Sequence, residues 1–285
     1  MRLLYTSDLH GSMSHYGWLL GVACSKKPDV VILGGDMHPD DNVTVPDQLG
    51  HGQAAFVRGP FRNWVQELRQ KSGCREVLVI FGNHDWGSSV IAMEELAKEG
   101  LVKILTPASP VAIEGLNFVG YSFTPPTPWF VKEFEQLDRK GDAPPLIGGA
   151  VWHPRHHRAV QHSSKVFFDG RKTIEEDMAA LQAPADPWVF VAHAPPFQSK
   201  LDQSFSGNSY GSKSIRGAIE RLSPLLSLHG HIHESPRVTG EWKDQIGKSL
   251  CVNAGQMTKA LCHAIIEVDV ASKKITHSEH GQEAS

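Results

Sequence analysis

The 285-residue sequence predicts an α/β fold with antiparallel strands towards its carboxyl terminus. Two observations support this prediction: apolar runs of strand length recur along the chain, and segments with the apolar spacing of helices lie between them. Several of the runs are apolar on both faces, as expected for a sheet that is covered on both sides. The predicted strands comprise residues 3–6, 30–33, 77–81, 188–192, 225–228, 250–252 and 264–268.

Three segments are predicted to be helical. In residues 61–68 and 215–222, apolar residues follow the i, i+3, i+4, i+7 spacing of an amphipathic helix. Thr173 and Glu176 have the spacing of a capping box, which predicts that a third helix begins near Thr173.

Two stretches interrupt the alternation of strands and helices. Residues 38–60 are rich in Pro, Gly and Asp, and residues 122–165 contain several Pro residues and a basic His-rich run. Both are predicted to be long insertions in one domain that spans residues 1–270. Residues 271–285 are predicted to be a polar tail that need not be ordered.

Composition and charge exclude several classes of protein. Lys and Arg number 28 and Asp and Glu 31, so the net charge of −3 provides no positive excess for stable binding to nucleic acid. The four cysteines form no Cys-x-x-Cys pair, so we expect reduced thiols and no disulfide framework or thiolate zinc site. No apolar stretch approaches the length of a signal peptide or a membrane span, so we expect a cytoplasmic protein without a membrane partner.

Residues that can bind metals follow five of the predicted strands. Ligands of open α/β sheets bind beyond the carboxyl ends of the strands, so these five strand ends are expected to converge on one crevice. Residues two apart on an extended backbone point to the same face, which lets Asp8 act with His10 and His231 with His233. The candidate metal ligands are Asp8, His10, Asp36, Asn83, His193, His231 and His233.

This number of ligands predicts two divalent metal ions, because one tetrahedral ion uses fewer. Two dications about 3.5–4 Å apart repel each other unless anions lie between them. Asp36 is the candidate for a bridging carboxylate, with a hydroxide beside it. We therefore expect hydrolysis of a phosphoester by attack of metal-bound hydroxide. Oxygen and nitrogen ligands without thiolate suit Mn, Fe, Zn, Co or Ni.

The order of these motifs resembles that of the calcineurin-like metallophosphoesterases. The motifs that carry the resemblance are Asp8-x-His10, Gly35-Asp36, Gly82-Asn83-His84-Asp85, His193 and Gly230-His231-x-His233. The resemblance implies a four-layer αββα fold, in which two mixed β-sheets pack as a sandwich flanked by helices. It also implies one metal held by Asp8, His10, Asp36 and His233, and another held by Asp36, Asn83, His193 and His231.

Two residues of the third motif receive catalytic roles. The resemblance implies that His84 faces the substrate, and a histidine titrates in the range needed to protonate a departing alkoxide. Asp85 is interpreted as a group that orients Asn83 or His84.

The remaining histidines are left out of the predicted site. His229 is interpreted as a support for its loop. Residues 153–158 are interpreted as a solvated basic loop, with a substrate-facing lid over the metals as the alternative. The residues interpreted as ordinary surface or core histidines are His15, His38, His51, His263, His277 and His280.

The sequence departs from the pattern of the protein serine/threonine phosphatases. Those enzymes carry an arginine soon after the Gly-Asp motif, whereas residues 37–40 are Met-His-Pro-Asp, and they end the third motif with Glu, whereas this chain has Asp85. That activity is therefore the lesser alternative. His10 in the first motif resembles the compact microbial, phosphodiesterase-like branch of the family, which implies a small phosphodiester as the substrate. The main alternative is a metal-binding, non-catalytic scaffold or regulatory module that uses residues 122–165 to bind a protein partner.

Overall fold

The computed structural model describes residues 1–41 and 48–284. The first half of the described chain contributes the strands β1 (Arg2–Thr6), β2 (Val30–Gly34), β3 (Glu76–Ile80), β4 (Lys103–Ile104), β5 (Val111–Ile113) and β6 (Leu116–Tyr121). The second half contributes β7 (Gly149–His153), β8 (Arg158–His162), β9 (Trp188–Ala192), β10 (Leu226–His229), β11 (Lys243–Ile246), β12 (Ser249–Asn253), β13 (Leu261–Asp269) and β14 (Lys274–Glu283). The α-helices of the described residues are α1 (Met13–Lys26), α2 (His51–Phe56), α3 (Arg62–Ser72), α4 (Gly87–Lys98), α5 (Ser164–Phe168), α6 (Ile174–Ala180), α7 (Lys213–Leu222) and α8 (Ser235–Thr239).

The strands form two six-stranded mixed sheets and a separate hairpin. The first sheet has the order β14-β13-β1-β2-β3-β4, and the second has the order β11-β12-β10-β9-β6-β5. All seven predicted strands are confirmed, and the antiparallel pairs β1–β13, β13–β14 and β11–β12 confirm the predicted change of direction towards the carboxyl terminus. The hairpin pairs β7 with β8.

The two sheets pack face to face around one apolar core. Alternate residues of β1 and β2, such as Leu3 and Ile32, point into this core and meet residues of the second sheet such as Val189 and Leu228. The intervening residues point outwards and are covered by helices, α1, α3 and α4 on the first sheet and α6 and α7 on the second. The predicted four-layer sandwich flanked by helices is confirmed, and it explains why the strands are apolar on both faces.

The carboxyl-terminal segment differs from the prediction of a polar tail. Lys274–Glu283 forms strand β14 and pairs with β13 from the register Leu261↔Glu283 to Asp269↔Lys274. This strand lies at the edge of the first sheet, and most of its side chains are polar and partly or fully exposed. Backbone hydrogen bonds to β13, rather than burial of apolar side chains, hold it in place. A sequence pattern based on apolar burial therefore misses it.

The two predicted insertions contain regular structure. In the stretch 38–60, residues 42–47 lie outside the described residues, and residues 51–61 are helical and lead directly into α3. A π-helical turn, Val57–Phe61, contains Pro60, which lacks the N–H that a regular helical turn would use. In the stretch 122–165, β7 and β8 form a hairpin. Its exposed turn, residues 154–157, lies within the predicted basic loop 153–158, whose first and last residues end β7 and begin β8.

Candidate metal centre

The carboxyl ends of parallel strands from both sheets meet at one edge of the sandwich. β1, β2 and β3 are parallel in the first sheet, and β9 and β10 are parallel in the second. Beyond their ends, the amide of Asp8 donates to the carbonyl of Gly35 at 3.0 Å, and the amide of Gly230 donates to the carbonyl of His193 at 3.0 Å. The amide of His231 donates to the Asp8 carboxylate at 3.1 Å and connects the two sheets. These contacts bring the motifs of the two sheets together.

Asp36 belongs to both groups of side chains that could hold a metal ion. Asp8, Asp36 and His193 form one group, and His10, Asp36 and His84 form the other. Within each group, one candidate ligand atom from each residue lies within 4.8 Å of the others. The Asp36 carboxylate therefore lies between two potential cation positions.

Asp8 and Asp36 are buried carboxylates, each 2% exposed. Within residues 1–41 and 48–284, neither forms an ion pair with Lys or Arg, and Asp36 instead faces His193, with 3.2 Å between Oδ2 and Nε2. Burial alone would raise the pKa of Asp36, but His193 and His84 hold it well below its usual range. A buried carboxylate needs a cation beside it, and either a protonated histidine or a coordinated metal ion meets that need. The donor set therefore fits a divalent cation.

His193 presents a free ring nitrogen to the same position. Its Nδ1 lies 2.7 Å from the carbonyl oxygen of Gly34 and donates to it, which leaves Nε2 to act as the metal ligand. Nε2 is buried and has no hydrogen-bond partner among the described residues. Burial lowers the pKa of His193, but the Asp36 carboxylate outweighs this effect and raises it to about 9. Nε2 thus requires either a proton or a metal ion between itself and Asp36.

The remaining predicted ligands lie around this centre. Nδ1 of His231 lies 2.8 Å from Oδ1 of Asn83, and the rings of His193 and His231 are 5.4 Å apart. Burial and the neighbouring His193 lower the pKa of His231 to about 3, so the ring is in the neutral state that binds metals. His233 is the most exposed of the predicted ligands, and its ring lies 6.1 Å from that of His10.

The backbone is strained at four of the predicted ligands. Asp8, His10, Asp36 and His231 have φ angles of 57°, 43°, 51° and 65°, in the left-handed region that favours glycine. Strain of this kind costs about 1–3 kcal/mol for each residue and is concentrated at functional sites. The left-handed conformation changes the direction of the backbone immediately after each strand and so directs these side chains towards the candidate metal centre.

His84 lies in the same site and contacts two residues that sequence reasoning missed. Its Nδ1 lies 2.7 Å from Oδ1 of Asp40, and its ring stacks on the indole of Trp129 with centroids 4.3 Å apart and planes at 16°. Asp40 also lies 3.5 Å from Nδ1 of His10. Burial lowers the pKa of His10, but Asp40, Asp36 and Asp8 raise it to about 9.

Asp85 does not take the orienting role that the sequence suggested. Its Oδ2 accepts hydrogen bonds from the amides of Asp36 at 3.1 Å and Gly82 at 2.9 Å, and its Oδ1 accepts from Nδ1 of His38 at 2.6 Å. Asp85 therefore holds the backbone that carries Asp36, and the described hydrogen bonds of its side chain do not reach the side chains of Asn83 or His84. His38 is fully buried and belongs to this support; its spacing in Asp36-x-His38 repeats that of Asp8-x-His10.

His229 supports the neighbouring loop, as the sequence predicted. Its Nδ1 lies 3.0 Å from the carbonyl oxygens of Ala192 and Ala194, and its Nε2 lies 2.8 Å from Oγ of Ser227. The side-chain amide of Asn253 donates to the carbonyl of Ile232 at 3.1 Å and holds the segment between His231 and His233.

Two large cavities open onto the site and share His233 and Glu234. One, of about 730 Å³, reaches Asp36, Asn83 and His84; we call it the Trp129 cleft, defined by Pro125, Pro126, Trp129, Phe197, Tyr210 and Lys213. The other, of about 830 Å³, is lined by different residues beyond those two; we call it the Arg237 cleft, defined by Phe205, Arg237, Trp242, Gln256, Lys259 and His280.

Comparison with known families identifies the chain. The family model of the calcineurin-like phosphoesterases matches residues 1–235. The chain belongs to this family. Membership makes this calcineurin-like phosphoesterase a phosphoric ester hydrolase and implies that it uses divalent metal ions, in agreement with the two groups that share Asp36.

The relatives of this calcineurin-like phosphoesterase are distant in sequence. UPF0046 protein K07C11.7 of Caenorhabditis elegans is 25% identical over 253 residues, which cover 80% of this chain and 70% of that protein. TT1561 of Thermus thermophilus has a TM-score of 0.57 at 16% identity and covers 98% of this chain and 97% of its own. A putative 5'-nucleotidase from Staphylococcus aureus has a TM-score of 0.51 at 11% identity over 99% of this chain and 54% of its own. The two solved structures support the fold alone.

Within the described residues, no helix of this calcineurin-like phosphoesterase has both the length and the apolar character needed to cross a membrane. The four cysteines are free, and three of them are buried. A cytoplasmic location stays a prediction.

Proposed function

We propose that this calcineurin-like phosphoesterase binds two divalent cations and hydrolyses small phosphodiesters. The observation that carries the proposal is that the carboxylate of Asp36 belongs to both candidate groups. Two neighbouring dications need an anion between them, and a buried carboxylate common to both positions meets that need.

The proposed ligands are those expected from the family motifs. Donor chemistry favours Mn, Fe, Zn, Co or Ni, because the donors are carboxylate, amide and imidazole groups. The neutral ring of His231 and the free Nε2 of His193 support their assignment to the second ion. By the family motifs, one ion would be held by Asp8, His10, Asp36 and His233, and the other by Asp36, Asn83, His193 and His231. The observed groups share Asp36 but divide its neighbours differently, with Asp8 beside His193 and His10 beside His84.

The protein residues around the phosphoryl group have separate tasks. When bound, the cations would supply Lewis acidity towards the phosphoryl oxygens and lower the pKa of water. Nδ1 of His84 donates a hydrogen bond to Asp40, and a second proton, on Nε2 of the same ring, would pass to the departing alkoxide. The stacked indole of Trp129 restricts rotation of the His84 ring. Asp85 keeps the backbone of Asp36 in its strained conformation.

The arrangement of the clefts favours a diester over a monoester. A phosphodiester carries two organic groups on phosphorus, and two cavities of about 730 and 830 Å³ meet at His233 and Glu234. His84 lines the Trp129 cleft, so the group that departs would occupy that cleft. The group retained on phosphorus would then lie towards the Arg237 cleft.

Metal reconstitution and hydrolysis of bis(p-nitrophenyl) phosphate test the proposal. Protein loaded separately with Mn²⁺, Fe²⁺, Zn²⁺, Co²⁺ and Ni²⁺ should hydrolyse this diester with at least one metal, and elemental analysis should find close to two ions per chain. Asp36→Asn should lose metal and at least about 100-fold in turnover, because it removes the bridging charge. Asp169→Asn, at an exposed carboxylate, is the matched control and should retain both. Metal-loaded protein that hydrolyses no phosphoester would refute the proposal and favour the non-catalytic scaffold.

A further inference from the structure

We propose that the Arg237 cleft binds a second anionic group of the substrate, a phosphate or phosphonate carried by the alcohol that remains on phosphorus. This inference rests on the proposed function and narrows its substrate class. It starts from the position of the cleft, which shares His233 and Glu234 with the cleft of the departing group. A substrate bound at the metal centre can therefore extend into both cavities.

Charge distinguishes the two cavities. Apart from Asp36, which would hold the metal ions, the Trp129 cleft is lined by the carboxylates of Asp138, Asp142 and Glu234 and by one cation, Lys213. The Arg237 cleft is lined by the cations Arg237 and Lys259 and by one carboxylate, Glu234. A dianionic group is repelled by the first set and attracted by the second. Because the whole chain has a net charge of −3, this local positive excess is not a general property of the protein.

The two cations are available to a ligand. Within the described residues, neither Arg237 nor Lys259 forms an ion pair, and the carboxylate of Glu234 faces His233 at 3.7 Å. The Arg237 guanidinium lies 4.6 Å from the centre of the Phe205 ring, which limits its motion while leaving its N–H groups free. A planar guanidinium with free N–H groups can bind a phosphate through two parallel hydrogen bonds.

Aromatic and amide groups line the rest of the cleft. The rings of Trp242 and His280 stack with centroids 5.5 Å apart, and His280 is fixed by a hydrogen bond from Nε2 to the carbonyl of Ala254 at 2.8 Å. Gln256 donates to the carbonyl of Ser7 at 3.0 Å, next to Asp8. The cleft is thus a fixed surface joined to the metal centre.

Two matched diesters test the inference. Both release p-nitrophenolate; the retained arm is 2-phosphonoethyl in one and propyl in the other. Water adds to phosphorus, the P–O bond to p-nitrophenol breaks with its electron pair on the phenol oxygen, and a proton of the water passes to solvent. The products are p-nitrophenolate and the alkyl phosphate. With metal-loaded protein we expect a KM about tenfold lower for the phosphonoethyl ester, at similar kcat. Arg237→Gln and Lys259→Gln should each raise the KM of the phosphonoethyl ester several-fold more than that of the propyl ester, and so reduce the preference.

The controls separate this inference from the proposed function. Lys248→Gln, which removes an exposed lysine at a turn outside the cleft, should keep the preference. Equal KM values for the two esters, or a preference that persists in both cleft variants, would overturn the inference while leaving the phosphodiesterase intact. Failure to hydrolyse either ester would refute the proposed function itself. As a second measurement, 2-hydroxyethylphosphonate added to protein without metal should shift the indole N–H resonance of Trp242, and an equal shift in the Arg237→Gln variant would contradict the proposed contact.

Discussion

Replacement of Gly82 by alanine tests whether Asp36 and His193 share one cation position. A Cβ atom at residue 82 would lie 2.5 Å from Nε2 of His193 and 2.7 Å from Cγ of Asp36. Ordinary van der Waals contact begins at about 3.4 Å, so the two side chains must move by about 1 Å. The φ angle of Gly82 is not in the left-handed region, so the effect arises from space alone.

The expected losses follow from that displacement. Misplacing a reacting group by about 1 Å costs on the order of 100-fold in rate, and overpacking a buried site costs about 1–3 kcal/mol of stability. We therefore expect Gly82→Ala to lose most of its bound metal, to fall about 100-fold in kcat/KM for bis(p-nitrophenyl) phosphate, and to unfold at a lower urea concentration. Elemental analysis, steady-state kinetics and urea unfolding measure these effects separately.

Gly17 provides the matched control for this substitution. It lies within α1, and a Cβ atom there would meet nothing within 4 Å. Gly17→Ala should leave metal content and turnover unchanged and raise stability by up to about 1 kcal/mol, because alanine favours the helix. A Gly82→Ala protein with full metal content and normal turnover would refute the placement of Asp36 and His193 around one cation.

Substitutions at three further positions probe other parts of the structure. His84→Ala should slow hydrolysis of esters with alkoxide leaving groups more than that of p-nitrophenyl esters, with metal content unchanged; loss of metal would instead identify His84 as a ligand. His38→Leu should lower the free energy of unfolding in urea by about 2 kcal/mol, because Asp85 loses a buried hydrogen-bond donor. His38→Asn should recover part of this loss. Equal stability of the unmodified protein and both variants would show that the His38–Asp85 hydrogen bond contributes nothing. Burial lowers the pKa of His263 to about 4 in the folded protein, from the ordinary value of 6.5. Between these two pH values the unfolded chain binds a proton at His263 more readily than the folded protein does. The free energy of unfolding should therefore fall by up to about 3 kcal/mol as the pH falls from 6.5 to 4. His263→Phe should reduce this loss of stability at low pH. A variant whose unfolding free energy depends on pH as that of the unmodified protein does would contradict the prediction.

The sequence predicts the strands and ligands that depend on short segments. Residues 30–34 illustrate this, because an apolar run and the Gly35-Asp36 pair together mark both the strand and the residue beyond its end. The apolar run that marks a strand is weak in β6, where Asn117 and Gly120 interrupt it, and in β14, which lies at a sheet edge and buries little surface. These two strands become apparent only through their partners.

The supports of the site were missed because they depend on contacts between segments that are distant in sequence. Asp40 contacts His84 across 44 residues, and Trp129 reaches the same ring from the 122–165 insertion. Nothing in the residues around Trp129 indicates a neighbouring histidine, because stacking depends on how the insertion folds back over the sheet. His38 was interpreted as an ordinary histidine, although its contact with Asp85 makes it part of the structure that holds Asp36.

Asp36 explains why the separated motifs must be arranged together. Its carbonyl accepts from the amide of His10 at 2.9 Å, and its amide donates to Asp85 at 3.1 Å. Its Oδ1 accepts from the amide of His84 at 2.8 Å, while its Oδ2 faces Nε2 of His193 at 3.2 Å. The first, third and fourth motifs thus fix the backbone and both carboxylate oxygens of a residue whose φ angle is unfavourable. Because these contacts come from both sheets, the packing of the sandwich and the position of the proposed bridging carboxylate depend on each other.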